Sequence, residues 1–162
     1  MGRIKYLVMD VDGTLTDGKI YIANTGEFMK AFDIKDGYGI YAVAPDNGIT
    51  PVIITGRRSE IVAKRCEELR IQEVHQGVGD KLATLKSIVE DLSQVAYIGD
   101  DLNDIPCMTK VKEAGGIIGA PADAIMKVLE LSDFVATHKA GEGAVREFID
   151  WLAADEFSDG KQ

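Results

Sequence analysis

The run Leu7–Asp17, LVMDVDGTLTD, constrains the fold of this chain more than any other stretch. An apolar segment, Ile4–Met9, ends in Asp10 and Asp12, with Gly13 next. Carboxylates do not continue a strand buried on both faces, because an unpaired charge there costs several kcal/mol. The strand must therefore stop at a sheet edge and leave two acids, one residue apart, at its carboxyl end. Such a pair can hold a metal while keeping one oxygen free to attack. A calcium loop beginning at Asp10 is excluded, because it needs Gly at its sixth position and Glu at its twelfth, where this chain has Leu15 and Tyr21.

Further short apolar runs repeat the pattern: PVIIT, VAYIG, GGIIG, DFVA and the weaker EVH at Glu73–His75. They lack polar alternation, as strands covered on both faces do. Helical spacing fills the gaps. Leu82, Leu85, Ile88, Val89 and Leu92 make one stripe in Asp80–Leu92, and Ile61, Val62, Cys66 and Leu69 make another; Asp123–Leu131 and Gly143–Leu152 read as further helices. The rhythm predicts an α/β fold, a doubly wound, Rossmann-like parallel sheet whose ligands bind beyond the carboxyl ends of the strands. One domain, residues 1–154, is expected, with a polar tail at 155–162. Asn24-Thr25-Gly26 between two alternating runs predicts a protruding β-hairpin over residues 19–34. The segments from Gly13 to Thr55 and from Gly56 to Lys81 are too short for a cap domain.

A formal net charge of −9 argues against nucleic acid, whose phosphates demand basic surface. It leaves room for a small phosphorylated ligand held by a metal and a few cations. No apolar run reaches the roughly 18 residues of a membrane span, and Cys66 and Cys107 form no CxxC pair, which together predict a cytoplasmic protein with reduced thiols and no membrane partner. His75 and His138 have no metal-ligand spacing.

Four elements at strand ends carry the chemistry. An anionic nucleophile approaching an anionic phosphate needs a divalent cation between them, and Mg²⁺ suits carboxylate, phosphate and water oxygens. Asp10 can share one oxygen with the metal and offer the other to phosphorus; Asp12 can protonate the leaving oxygen and then deprotonate water. Thr55 and Gly56, ending IITG, can bind phosphate oxygens through a hydroxyl and a free N–H. Lys81, opening a helix after GVGD, can neutralise charge on nucleophile and phosphate together. In Gly99-Asp100-Asp101-Leu102-Asn103-Asp104, Asp100 would complete the metal set and Asp104 would orient metal waters or hold Lys81. Each element alone also has a plain structural explanation: an Asp/Gly turn, a common strand end, a solvated lysine, a helix N-cap. Their order and spacing together do not.

DVDGTLT, ITG, the lone lysine and GDDLND resemble the four motifs of the haloacid dehalogenase superfamily, over about residues 4–150. The resemblance implies a Rossmann-like core and an aspartyl-phosphate mechanism, with Asp10 as nucleophile and metal ligand and Asp12 as acid/base whose backbone carbonyl also meets the metal. Lys81 and Thr55 would hold phosphate, and Asp100 would be the remaining metal ligand. DGYGI, ITGRRSEIVAKRCEELRI, HQGVGDKL and GEGAVREF narrow the resemblance to capless members that hydrolyse 3-deoxy-D-manno-octulosonate 8-phosphate in lipopolysaccharide precursor synthesis. It implies a homotetramer built around the hairpins and a substrate bearing a carboxylate. Arg57, Arg65 and Arg146 are the candidate cations for that carboxylate, since guanidinium suits planar anions, with Arg65, mid-helix, equally suited to a surface pair with Glu68. Similar phosphatases act on nine-carbon sugar-acid 9-phosphates, where an acid stands in place of Arg57. A third relative group forms non-catalytic oligomerisation modules at the C-terminus of cytidylyltransferases, against which the full set of site residues speaks. The chain's own start and end are read as those of a freestanding protein. Glu142 in GEGAVRE departs from the glycine more usual there.

Overall fold

The computed structural model describes residues 4–158. Six parallel strands form one sheet in the order β5-β4-β1-β6-β7-β8. These are β1 Tyr6–Met9, β4 Thr50–Ile54, β5 Glu73–His75, β6 Val95–Ile98, β7 Ile117–Ala120 and β8 Phe134–Val135. β1 pairs with β4 on one side, Met9 opposite Ile53, and with β6 on the other, Met9 opposite Ile98. Three central strands therefore end level, so the residues that follow Met9, Ile54 and Ile98 emerge side by side.

The sheet is apolar on both faces because successive side chains point opposite ways. Leu7, Met9, Ile53 and Ile98 face one core with Ile40, Cys66, Phe148 and Ile149. Val8, Val52, Ile54 and Tyr97 face the other with Leu85, Cys107, Met108 and Val111. The two cysteines are free and lie on opposite sides of the sheet, which precludes a bond between them.

Helices cover both faces. α1 Ile34–Tyr38 continues through a π-helical turn, Gly39–Val43, into α2 Ala44–Asp46. α3 Glu60–Glu68 is capped by Ser59, whose hydroxyl accepts from the Val62 N–H, and α4 Lys81–Ile88 is capped in the same way by Asp80. α5 Ile105–Glu113 and α6 Met126–Leu131 follow, and α7 Ala144–Ser158 closes the chain.

The predicted α/β architecture, six strand positions and hairpin are all present. Boundaries differ for physical reasons. The stripe expected over Asp80–Leu92 ends as helix at Ile88, because Val89 turns extended and buries itself beneath the sheet. α7 runs to Ser158, into the segment read as a tail, since no Gly or Pro interrupts it; residues 159–162 of that tail lie outside the described residues. The hairpin is β2 Tyr21–Ala23 against β3 Gly26–Met29, antiparallel, with a register irregularity between Tyr21 and Ile22. A single bridge from Thr16 to Phe32 closes its base.

Candidate active site

Asp10 stands one residue past β1, its N–H still donating to the Ile98 carbonyl at 3.2 Å. The chain then turns sharply, the Val11 carbonyl accepting from the N–H groups of Thr14, Leu15 and Thr16. Gly13 holds φ +82°, and a β-carbon there would lie 2.1 Å from an Asp100 oxygen. Only glycine lets motif one and Asp100 approach so closely. The Thr14 hydroxyl donates to Asp100 Oδ1 at 3.2 Å and fixes that carboxyl from the same turn.

Lys81 Nζ lies 2.9 Å from Asp10 Oδ1 and 2.9 Å from Asp104 Oδ1, with all three side chains at most 7% exposed. Asp104 is fully satisfied: Oδ1 also accepts from the Tyr97 hydroxyl at 2.7 Å, and Oδ2 accepts from the backbone N–H groups of Asp100 and Asp101. Gly99 makes this possible, because a β-carbon there would meet Asp104 Oδ2 at 2.4 Å. Of the two roles open to Asp104 from sequence, the geometry shows the second, that of holding Lys81.

Asp10, Asp100 and Asp104 each bring one oxygen within 4.8 Å of the others, the metal-capable cluster found among the described residues. Burial, then the Asp104 and Asp10 charges, act on this group. The Asp10 carboxyl is pushed up by burial and by Asp104, with Lys81 opposing. Asp100 is pushed up to about 8 by burial and by Asp10. Lys81 is raised: burial works against its charge, but Asp10 and Asp104 outweigh it. Three acids with one ammonium between them are thus short of positive charge. Asp104 has no oxygen to spare, whereas Asp100 gives one oxygen to a single hydroxyl. The donor set is oxygen throughout. This fits a hard divalent cation such as Mg²⁺, held by Asp10 and Asp100.

A cavity of about 180 Å³ opens above this cluster, lined by Asp10, Asp12, Thr55, Gly56, Arg57, Asp100, Asp101 and Asn103. Thr55 is held at the end of β4 by its N–H to the His75 carbonyl and by the Val78 N–H to its own carbonyl. The structure therefore gathers Asp10, Asp12, Thr55, Gly56, Arg57 and Asp100 around one space, with Lys81 beneath. It does not bring Arg65 or Arg146 there. Arg65 pairs with Glu68 and lies over the Phe32 ring; Arg146 pairs with Asp150 and lies over Tyr38.

Sequence reasoning missed Lys30 and Glu27. Lys30, just past the hairpin, places Nζ 2.5 Å from Asp12 Oδ1 and 2.9 Å from Glu27, with its side chain 3% exposed. Glu27 accepts a short hydrogen bond from the Ser59 hydroxyl. A charged pair in a hairpin reads as solvated, and only the close return of the hairpin onto motif one reveals otherwise.

A parallel α/β sheet that brings the lysine-paired Asp10, Asp12, the Thr55-Gly56 turn and Asp100 to one edge has the architecture of a haloacid dehalogenase-type phosphatase. No family model matches the chain. A 3-deoxy-D-manno-octulosonate 8-phosphate phosphatase, KdsC, of Salmonella typhi is 44% identical over 154 residues, covering 93% of this chain and 79% of the relative. The phosphatase of that name from Moraxella catarrhalis, solved with magnesium, phosphate and KDO, superposes with a TM-score of 0.86 at 36% identity, covering 99% of this chain and 94% of that one. The cobalt-bound Haemophilus influenzae enzyme gives 0.87 at 33% identity, covering 96% and 90%. The chain belongs to the KdsC family of the haloacid dehalogenase superfamily.

Proposed function

We propose that this chain is an Mg²⁺-dependent phosphatase that hydrolyses 3-deoxy-D-manno-octulosonate 8-phosphate to the free sugar acid and phosphate, a step in making lipopolysaccharide precursors. The observation that carries the chemistry is the Asp10 carboxylate, one oxygen fixed by Lys81 in a buried network while the residue lines the cavity. The substrate follows from the 44% identity to the Salmonella typhi enzyme.

When bound to Asp10, the Asp12 backbone carbonyl and Asp100, the ion offsets the repulsion between nucleophile and phosphate. Thr55, Gly56 and Lys81 hold the phosphoryl oxygens. The free oxygen of Asp10 attacks phosphorus, and the bond to the sugar oxygen breaks as Asp12 gives that oxygen a proton. The result is an aspartyl-phosphate on Asp10. Asp12, now ionised, takes a proton from water; the water oxygen attacks phosphorus, and the bond to Asp10 breaks to release phosphate. Arg57, at the cavity wall, meets the sugar acid.

The open cavity and the exposed apolar hairpin suit an assembly in which a neighbour covers the site. Ile22 is 70% exposed and Phe28 68%, and Ile34 and Tyr38 of α1 are exposed as well. Water exclusion favours phosphoryl transfer, and a homotetramer packed through the hairpins supplies it. In that assembly Arg146, at the start of α7, reaches toward a neighbouring cavity, while Arg65 stays against Glu68 and Phe32. No helix among the described residues is long and apolar enough to cross a membrane. A cytoplasmic setting accords with two free buried thiols.

Phosphate release with Mg²⁺ over a panel of esters tests the reading. The octulosonate 8-phosphate should give the highest kcat/KM. A higher value on a nine-carbon 9-phosphate would reassign the substrate, and release from none of the esters would overturn the activity.

A further inference from the structure

We propose that Lys30 is a positioning residue for the acid/base step, holding the Asp12 carboxyl so that its second oxygen faces the leaving group. This rests on the phosphatase reading above. Asp12 sits on a tight turn with its side chain 27% exposed, and none of its neighbours in motif one bonds its carboxyl among the hydrogen bonds found. Left alone, such a side chain turns between staggered rotamers. Lys30 removes that freedom, with Nζ 2.5 Å from Oδ1 and the ammonium itself nearly buried.

The ammonium is anchored in turn. Glu27 lies 2.9 Å from it, and Glu27 also accepts from the hydroxyl of Ser59, the residue that caps α3 directly after Thr55-Gly56-Arg57-Arg58. The chain Asp12–Lys30–Glu27–Ser59 therefore runs from motif one, through the hairpin, to the phosphate loop on the far side of the cavity. Charge-assisted bonds of this kind are short and directional. Because Lys30 and Glu27 both belong to the hairpin segment, the placement of the proton donor depends on where the hairpin sits. A hairpin held by a neighbouring subunit would hold Asp12 as well.

Such a role has a signature that general damage lacks. An alkyl phosphate needs its leaving oxygen protonated, whereas 4-nitrophenyl phosphate releases a stable phenolate and needs little help. kcat/KM covers steps only through loss of the leaving group, so it isolates this proton. Lys30→Met should lower kcat/KM by ~100-fold on the octulosonate 8-phosphate and by less than about 3-fold on 4-nitrophenyl phosphate. Lys30→Arg, which keeps the charge, should recover most of the loss. Glu27→Gln should show the same selectivity more weakly, and it decides the matter if Lys30→Met does not fold. In an Asp12→Asn background, Lys30→Met should change the alkyl rate by less than about 2-fold, since the two act as one unit. Equal losses on both esters, losses that add to Asp12→Asn, or no loss at all would overturn the role of Lys30. Wild-type protein inactive on both esters would instead overturn the phosphatase reading.

Discussion

The site and the hairpin are built on opposite plans. At the sheet edge the polar groups around Lys81 are buried and answered. Lys81 has two carboxylates, and Asp104 has a lysine, a tyrosine and two backbone N–H groups. On the hairpin, large apolar side chains face outward and the polar ties, Lys30 and Glu27, point inward. The first plan fixes reacting groups within one subunit, where displacement by an ångström is costly. The second leaves a surface to be completed and links it to the proton donor. Precision thus resides in the fold, and access in the appendage.

Asp10→Asn gives the largest expected effect, because it removes the nucleophile outright. Phosphate release should fall by about 10⁴-fold or more while circular dichroism stays native. Substantial turnover would reassign the nucleophile and dissolve the distinction between the two regions. Asp104→Leu comes next. It strands the Tyr97 hydroxyl and two N–H groups in the interior and leaves Lys81 with Asp10 alone, which costs about 3–5 kcal/mol. A denaturant midpoint within error of wild type would show that the network is not what rigidifies the site.

pH sharpens the comparison through the site alone. Asp100 in the folded, metal-free protein is pushed up to about 8 by burial and Asp10, from 3.8. The folded state then binds more protons than the unfolded one, so stability falls as pH rises from about 4 to about 8 and levels beyond. Asp36, pushed up to about 6 chiefly by burial, adds the same sign over about 4 to 6. Mg²⁺ prefers the ionised carboxylate, so the rise in Tm on adding it should be larger at pH 8 than at pH 5. Chelated protein should show the steeper loss with pH, and equal Mg²⁺ shifts at both values would place the ion elsewhere.

The two regions were also unequally legible. Asp10, Thr55 and Asp100 could be read because each follows an apolar run, and neighbouring parallel strands bring such positions together without further information. Lys81 was within reach for a different reason, its place at the start of a helix just past a strand end, and its link to Asp104 was one of two roles left open. The Lys30–Asp12 pair was not, because it depends on a register irregularity at Tyr21 and Ile22 and on the bridge from Thr16 to Phe32. α5 escaped as well: its buried residues Cys107, Met108 and Val111 are few, and the acids before them draw attention to chemistry rather than to a helix. Arg65 was half legible, since Glu68 stands one helical turn on and the pair forms, whereas the partner of Arg146, Asp150, was overlooked because the glycines before it draw attention to a loop rather than to the helix face.

The smallest effect on the single subunit belongs to the hairpin surface. Ile22 and Phe28 are mostly exposed, so Ile22→Ser with Phe28→Ser removes little burial within one chain, and the change in its intrinsic stability should stay within about 0.5 kcal/mol per site. The same pair should abolish assembly, because surface of this kind remains exposed in a monomer only at the risk of aggregation. Sedimentation at micromolar concentration should find wild type tetrameric and the double variant monomeric. If the hairpin also carries the Asp12 strap, the monomer should lose more kcat/KM on the alkyl ester than on 4-nitrophenyl phosphate. A monomeric wild type would separate the hairpin from assembly. Lys30 would then hold Asp12 from a hairpin that its own chain alone must keep in place.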